Sequence, residues 1–301
     1  MSLIQIATPQ PRLPEWLREG RTDYRALHEL KVELRSRHLH TVCESARCPN
    51  IHDCFGRGAA TFMILGNICT RRCGFCAVPQ GEPEYLDRDE PTQVAEMAAR
   101  MDLNYVVITS VNRDDLGDGG SGHFAETVRE VRRRLPAAKV EVLTPDFRGD
   151  LDAVARVLDA CPDVFNHNME TVERLYRRVR PQANYQQSLD VLAFARMHSP
   201  AALTKSGLMV GLGETSAEVE QLLRDLRSAN TQVATIGQYL QPTRRRLPVE
   251  EYIAPAVFDR YREYGESIGF NAVFSGPLVR SSYMAENVEH SASIHGHGVT
   301  G

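Results

Sequence analysis

From residue 60 onward, short apolar runs alternate with longer segments whose hydrophobic positions recur every three to four residues. "ATFMIL" (Ala60 to Leu65), "YVVITS" (Tyr105 to Ser110), "KVEVLT" (Lys139 to Thr144) and "VFNHN" (Val164 to Asn168) are short and read as strands. "TKSGLMVGL" (Thr204 to Leu212) and "VATIGQYL" (Val233 to Leu240) continue the series. Residues 91–101, 123–135, 151–160, 185–197, 216–229 and 255–268 have the helical period. This βαβα order predicts a parallel sheet with helices packed outside it. Six units are two short of a full TIM barrel. The expected fold is α/β, a partial (β/α)6 TIM-type barrel, with a doubly wound open sheet as the alternative. Either places the chemistry at the C-terminal ends of the strands.

Three segments follow from this pattern. Residues 1–58 form an N-terminal extension, residues 59–276 the barrel, and residues 277–301 a tail over the barrel mouth. A strand-like "NAVFS" (Asn271 to Ser275) leads into the tail. The unusual sequences fall where the barrel predicts chemistry. "CTRRCGFC" follows the first strand, "VNRDDLGDGGSG" the second, "TPDF" the third and "NHNMET" the fourth; "GLGET" and "QPTRRR" follow the fifth and sixth.

Composition adds constraints. A compact chain of 301 residues buries about 75% of its unfolded surface and needs no disulfide staples. A formal charge of −4 gives no overall field for nucleic acid. The runs Arg132 to Arg134 and Arg177, Arg178 and Arg180 read as solvated faces, whereas Arg244 to Arg246 stand beside a strand end. Nothing at the N-terminus resembles a signal peptide, and no apolar run approaches the ~20 residues of a membrane span. The expected location is the cytoplasm, where thiols stay reduced. Seven cysteines there point to metal or catalysis, and six fall between Cys43 and Cys76.

Cys69, Cys73 and Cys76 have the spacing C-x3-C-x2-C. A structural zinc site wants four ligands, and no second pair is present. A redox pair would use Cys73 and Cys76 and leave Cys69 idle. An iron–sulfur cubane held by three thiolates keeps one iron open, and an open position is a functional feature. Cys43, Cys48 and Cys54 repeat the theme as C-x4-C-x5-C, with a zinc site completed by His52 or Asp53 as the alternative. Cys161, beside Pro162, reads as a small buried hydrophobe.

Phe75 before the last cysteine completes the signature of the radical S-adenosylmethionine enzymes. "CESARCPNIHDCF", "ATFMILGNICTRRCGFCAV", "TSVNRDDLGDGG", "NHNMETV", "GLGET", "GQYLQPT" and "GPLVRSSY" occur in this order. Together, over about residues 40 to 285, they closely resemble the lipoyl synthase family. Arg246 and Met284 stand where that family often has histidine.

The resemblance implies a sulfurtransferase with S-adenosyl-L-methionine and two 4Fe-4S clusters. It implies that the cluster on Cys69, Cys73 and Cys76 reduces the sulfonium, and that a 5′-deoxyadenosyl radical then abstracts hydrogen from C6 and C8 of an octanoyl-lysine. The second cluster, on Cys43, Cys48 and Cys54, then gives up its sulfide. A radical is needed because unactivated C–H bonds offer no acidic proton, and a cofactor must carry such chemistry. The fourth ligand of the second cluster is placed in "RSSY", at Ser282 rather than Ser281, with Arg280 available to favour an alkoxide. Asn112, Arg113, Asn168, Glu170 and Glu214 stand at strand ends where polar groups can hold the cofactor or simply cap loops. Gly211 and Gly213 allow close backbone approach.

The implied partners are octanoylated lipoyl carrier proteins: the lipoyl domains of 2-oxoacid dehydrogenases and the glycine cleavage H protein. A reducing electron donor and iron–sulfur assembly proteins join them; nucleic acid and membrane do not, and a monomer suffices. Two other readings stay open here: a biotin synthase-like sulfur inserter, and a non-catalytic iron–sulfur scaffold.

Overall fold

The computed structural model describes residues 14–17, 32, 34, 36–37, 39–45, 50, 59–83 and 85–282. Cys48 and Cys54 lie outside the described residues, as does the side chain of Cys43. The strands are β1 (His40–Thr41), β2 (Ala59–Ile64), β3 (Tyr105–Ser110), β4 (Lys139–Leu143), β5 (Val164–Asn166), β6 (Leu203–Val210), β7 (Val233–Gln238) and β8 (Ala272–Gly276). They form one sheet in sequence order. β2 to β8 are parallel throughout. β1, from the N-terminal extension, pairs antiparallel with β2 through His40↔Met63 and Thr41↔Phe62. No pairing joins β8 to β1 among the described residues, so the curved sheet stays open, as a partial barrel does.

Each expected strand and helix is present. Glu90–Arg100, Ser121–Arg134, Leu151–Leu158, Tyr185–His198, Ser216–Ser228 and Pro255–Ser267 are the helices that follow β2 to β7. Local chemistry sets several of their starts. Pro91 occupies the first turn of one, and Thr215 with Glu218 forms a full capping box on another. The strand-like "NAVFS" supplies β8, a seventh parallel strand. β2 and β7 are buried at every position, the pattern of a sheet covered on both faces. Phe62, Ile108, Val142 and Phe165 pack with Val94, Phe124 and Val154 from the helices; Leu208 and Ile236 pack with Leu222 and Phe258.

Three expectations need correction. β5 ends at Asn166 rather than Asn168. The chain leaves the sheet for three residues and rejoins β6 at Glu170, which bridges Leu208 at a φ of 66°. Cys161 is exposed, because it turns the chain at a φ of 59° instead of ending a buried helix. Arg180 does not share the solvated face of Arg177 and Arg178, since it is buried beneath the excursion after β5.

Candidate active site

The loop after β2 is held at four points. Its own ends are tied, with Cys69 N–H donating to the Pro79 carbonyl at 2.9 Å and Gly81 N–H to that of Cys69 at 3.1 Å. Buried Arg71 forks to two carboxylates. Nε and Nη2 reach Asp114 at 2.7 and 2.9 Å, while Nη1 and Nη2 reach Asp146 at 2.9 and 2.7 Å. This clamps the loop to those following β3 and β4. At Gly74 the N–H donates to Val179 at 2.8 Å, and the carbonyl accepts from Leu247 at 3.0 Å. A Cβ on Gly74 would lie 2.8 Å from the Leu247 side chain, so the glycine permits the contact.

Cys69, Cys73 and Cys76 are all half-buried on this loop. The Cys69 sulfur accepts from the N–H groups of Arg71 at 3.4 Å and Asn112 at 3.3 Å. Burial pushes the Cys73 thiol up to about 12 and raises that of Cys76, while Arg180 draws Cys73 back down. Thiolates here therefore need a cation close by. Arg180 supplies part of that charge. Its Nη1 donates to the carbonyls of Asn168 at 2.8 Å and Met169 at 3.3 Å, and among the described residues no carboxylate pairs with it within 4 Å.

The donor set suits a cubane. Among the described residues no three His, Cys, Asp or Glu side chains converge on one ion position. A cluster instead takes each thiolate on a separate iron. Asn112 Oδ1 and Ser110 Oγ, at the end of β3 next to Cys69, are buried without hydrogen-bond partners among the described residues. Orphaned acceptors in that place fit a ligand that brings its own donors, such as an amino or hydroxyl group.

A cavity of about 450 Å³ opens beside the loop. Phe75, Cys76, Asn168 and Glu170 line one side, and Val42 and Ser282 reach it from the two ends of the chain. Val42 directly precedes Cys43. Asn50, two residues after Cys48, donates its amide to the Leu278 carbonyl at 2.7 Å, four residues before Ser282. Cys76 of the loop after β2, Val42 of the N-terminal segment and Ser282 of the tail therefore meet at one mouth.

Other expected residues stand further off. Arg113 forks onto Asp115 at 2.9 Å and donates to the Leu65 carbonyl at 3.3 Å. Glu214 folds back on its own turn and accepts from the N–H groups of Gly211 and Leu212. Gly211 takes a φ of 99°, and a Cβ there would sit 2.2 Å from the Gln238 side chain and 2.5 Å from the Glu251 carbonyl oxygen, so close packing demands that glycine. Neither Gly211, Gly213 nor Glu214 lines the cavity. The sequence reading missed Arg180; its one signal was the proline immediately after it, which ends a run otherwise like any charged face.

A description of the Radical SAM superfamily matches residues 63–226. A lipoyl synthase of Rubrobacter xylanophilus is 54% identical over 279 residues, 93% of this chain and 87% of that protein. The chain belongs to the lipoyl synthase family. Lipoyl synthases of Burkholderia mallei are 53% identical over 93% of this chain and 86% of theirs. Among solved structures, HydG, a maturase of the [FeFe]-hydrogenase, superposes with a TM-score of 0.54 at 12% identity, over 90% of this chain and 69% of that one. TYW1 with a lysine-pyruvate adduct gives 0.54 at 13% identity, over 80% and 89%. These two share the fold. As a lipoyl synthase, the protein is a radical enzyme with S-adenosylmethionine and 4Fe-4S cofactors, and the half-buried thiols beside Arg180 fit that donor set. No helix among the described residues is long and apolar enough to cross a membrane.

Proposed function

We propose that the protein inserts two sulfur atoms, at C6 and C8, into an octanoyl chain carried on a lysine of a carrier protein. The observation that carries this reading is the shared cavity, where Cys76 of one motif, Val42 beside the other and Ser282 of the tail face the same space. Its size falls in the range of small-molecule sites, about 300–1,000 Å³. Val42, Val78, Leu208, Met209 and Leu240 give it aliphatic walls. Burying an alkyl chain there stabilises the complex by about 0.8 kcal/mol per methylene.

Cys69, Cys73 and Cys76 would hold the cluster that binds S-adenosylmethionine. Cys43, Cys48, Cys54 and Ser282 would hold the second, which serves as sulfur donor. Bound together, these groups supply hydrogen abstraction from unactivated carbon and a source of sulfide. The chain's own residues position and shield. The Arg71 fork fixes the cysteine loop, Arg180 offsets the thiolate charge, and the aliphatic walls keep water from the alkyl chain. Phe75, Asn168 and Glu170 line the side nearest Cys76 and would contact the cofactor, as would the orphaned Asn112 Oδ1.

The exposed Arg244 and Arg245, on the loop that rests against Gly74 through Leu247, offer an octanoylated carrier a docking point at the mouth. The test is incubation of the reduced, reconstituted protein with S-adenosylmethionine and an octanoyl-lysine peptide. Release of 5′-deoxyadenosine with a mass gain matching two sulfurs supports the reading. Deoxyadenosine without any mass gain rejects it.

A further inference from the structure

Ser282 stands in a tail without a strand to hold it. β8 ends at Gly276, and a turn closed by Val279 N–H on the Gly276 carbonyl, 3.1 Å, turns the chain over the mouth. Two backbone contacts then press it down. The Val279 carbonyl comes so near β7 that a Cβ on Gly237 would lie 2.1 Å from it. The Leu278 carbonyl accepts from Asn50. Neither contact orients the residues after Arg280.

Ser281 has the missing anchor. Its hydroxyl accepts from Asn166 Nδ2 at 2.9 Å and donates to Asn168 Oδ1 at 2.9 Å. Asn166 Nδ2 also donates to Glu141 Oε1 at 2.9 Å. Glu141 is fully buried in the barrel, where Lys205 Nζ lies 3.0 and 3.1 Å from its two oxygens and the Tyr105 hydroxyl donates at 2.9 Å. Asn168 Nδ2 continues outward to Glu170 at 3.0 Å. A polar chain thus runs from the buried ion pair to the cavity wall, and Ser281 is where it meets the tail.

Such a pair is costly. Burying two charges removes their hydration, and an apolar pair of the same volume is often as stable or more so. Hydrogen abstraction and sulfur delivery use neither Lys205 nor Glu141. Orientation accounts for them: Glu141 accepts one amide proton of Asn166 and thereby aims the other at Ser281.

We infer that Ser281 is a positioning residue, locked by the chain Lys205–Glu141–Asn166 and by Asn168 so that its neighbour Ser282 presents its oxygen to the second cluster. The inference rests on the reading of Ser282 as a ligand. It also separates the two serines. The Ser281 proton is committed to Asn168 Oδ1, so deprotonating Ser281 would set two acceptors against each other. Ser282 carries no such commitment among the described residues.

The test uses the full chain with Cys69, Cys73 and Cys76 changed to Ala, loaded with 57Fe, so that the second cluster is the one observed. Mössbauer spectra then report the oxygen-ligated iron, about a quarter of the cluster iron. Ser282→Ala is expected to abolish that component. Ser281→Ala and Asn166→Ala are expected to lose most of it with iron content unchanged, and Ser281→Thr, which keeps the hydroxyl, to restore it. A wild-type spectrum for Ser281→Ala overturns the inference while leaving Ser282 as ligand. Loss in Ser281→Ala but not in Ser282→Ala reverses the roles and overturns it too. An unchanged spectrum in both variants removes the ligand reading itself. Should Asn166→Ala fail to fold, Ser281→Ala and Ser281→Thr decide the matter alone.

Discussion

The Asn50 amide donates to the Leu278 carbonyl at 2.7 Å across 228 positions of chain, tying the motif of Cys48 to the tail of Ser282. Asn50 is 7% exposed, so this bond is shielded from water. Its removal by Asn50→Ala is expected to cost about 1 kcal/mol of stability, the ordinary net value of such a bond. The larger effect is expected on the second cluster, whose proposed ligands come from both tied segments. Iron bound after reconstitution in the Cys69, Cys73 and Cys76→Ala background should drop, while S-adenosylmethionine cleavage in the otherwise wild-type chain persists. Equal losses of iron from both clusters would assign Asn50 to general folding.

The two cysteine sets should separate. Changing Cys69, Cys73 and Cys76 to Ala is expected to leave about half the iron and abolish reductive cleavage of S-adenosylmethionine. Changing Cys43, Cys48 and Cys54 should also leave about half, with cleavage still detectable and sulfur insertion gone. Full sulfur insertion by the second variant would end the role of that cluster as donor.

The features visible in the sequence were those written locally. Periodicity placed six strands and their helices because each element buries its own face, and cysteine spacing marked the loop because its three thiols lie within eight residues. Long-range pairing was not visible. Lys205 in a strand reads as a polar position, yet it faces Glu141 inside the barrel, 64 residues away in sequence. Arg180 looked like its charged neighbours Arg177 and Arg178, and only the chain's departure from the sheet after Asn166 covers it. Asn168 was placed on β5 for the same reason. Its side chain lines the cavity because the ladder is broken there and resumes at Glu170.

His167 gives a pH signature. Its Nδ1 lies 2.9 Å from the Thr144 carbonyl and its Nε2 3.0 Å from the Ser188 hydroxyl, which fits a neutral ring donating through Nδ1. Burial, with Arg180 and Arg71 nearby and Asp146 opposing them, lowers its pKa from 6.5 to about 4. The unfolded chain therefore takes the proton first. The stabilisation is complete above pH 6.5 and is lost as pH falls toward 4, by about 3 kcal/mol at roughly 1.4 kcal/mol per unit. Asp146 adds a later loss. Burial opposes its ionisation, but the Arg71 fork overrides this and holds the carboxyl at about 2, so its share goes below pH 3.8. Urea unfolding at pH 7 and pH 4.5 should show the first loss in the wild type and a smaller one in His167→Gln. An equal pH dependence in both would place the effect elsewhere.

The arginines of "QPTRRR" divide by structure. Arg244 and Arg245 are exposed, and their guanidiniums make no hydrogen bond or ion pair with the described residues. Arg246 is half-buried and donates to the Val78 carbonyl at 3.4 Å, bracing the loop that bears Cys76. On a chain of net charge −4, two unpaired cations at the mouth suit an acidic carrier better than they suit an alkyl chain. Exposed charges each contribute about 0.2–1 kcal/mol. Arg244→Ala with Arg245→Ala should therefore raise KM for a whole octanoylated carrier by roughly three- to tenfold at low salt. The gap should narrow as salt shortens the Debye length below about 10 Å. A short octanoyl-lysine peptide, which reaches the cavity without touching the rim, should keep its KM. Arg246→Ala is expected to behave differently, lowering kcat for both substrates, because it acts on the loop rather than on the carrier. A double variant that slows carrier and peptide alike would show that Arg244 and Arg245 serve the loop as well, and that the carrier docks elsewhere.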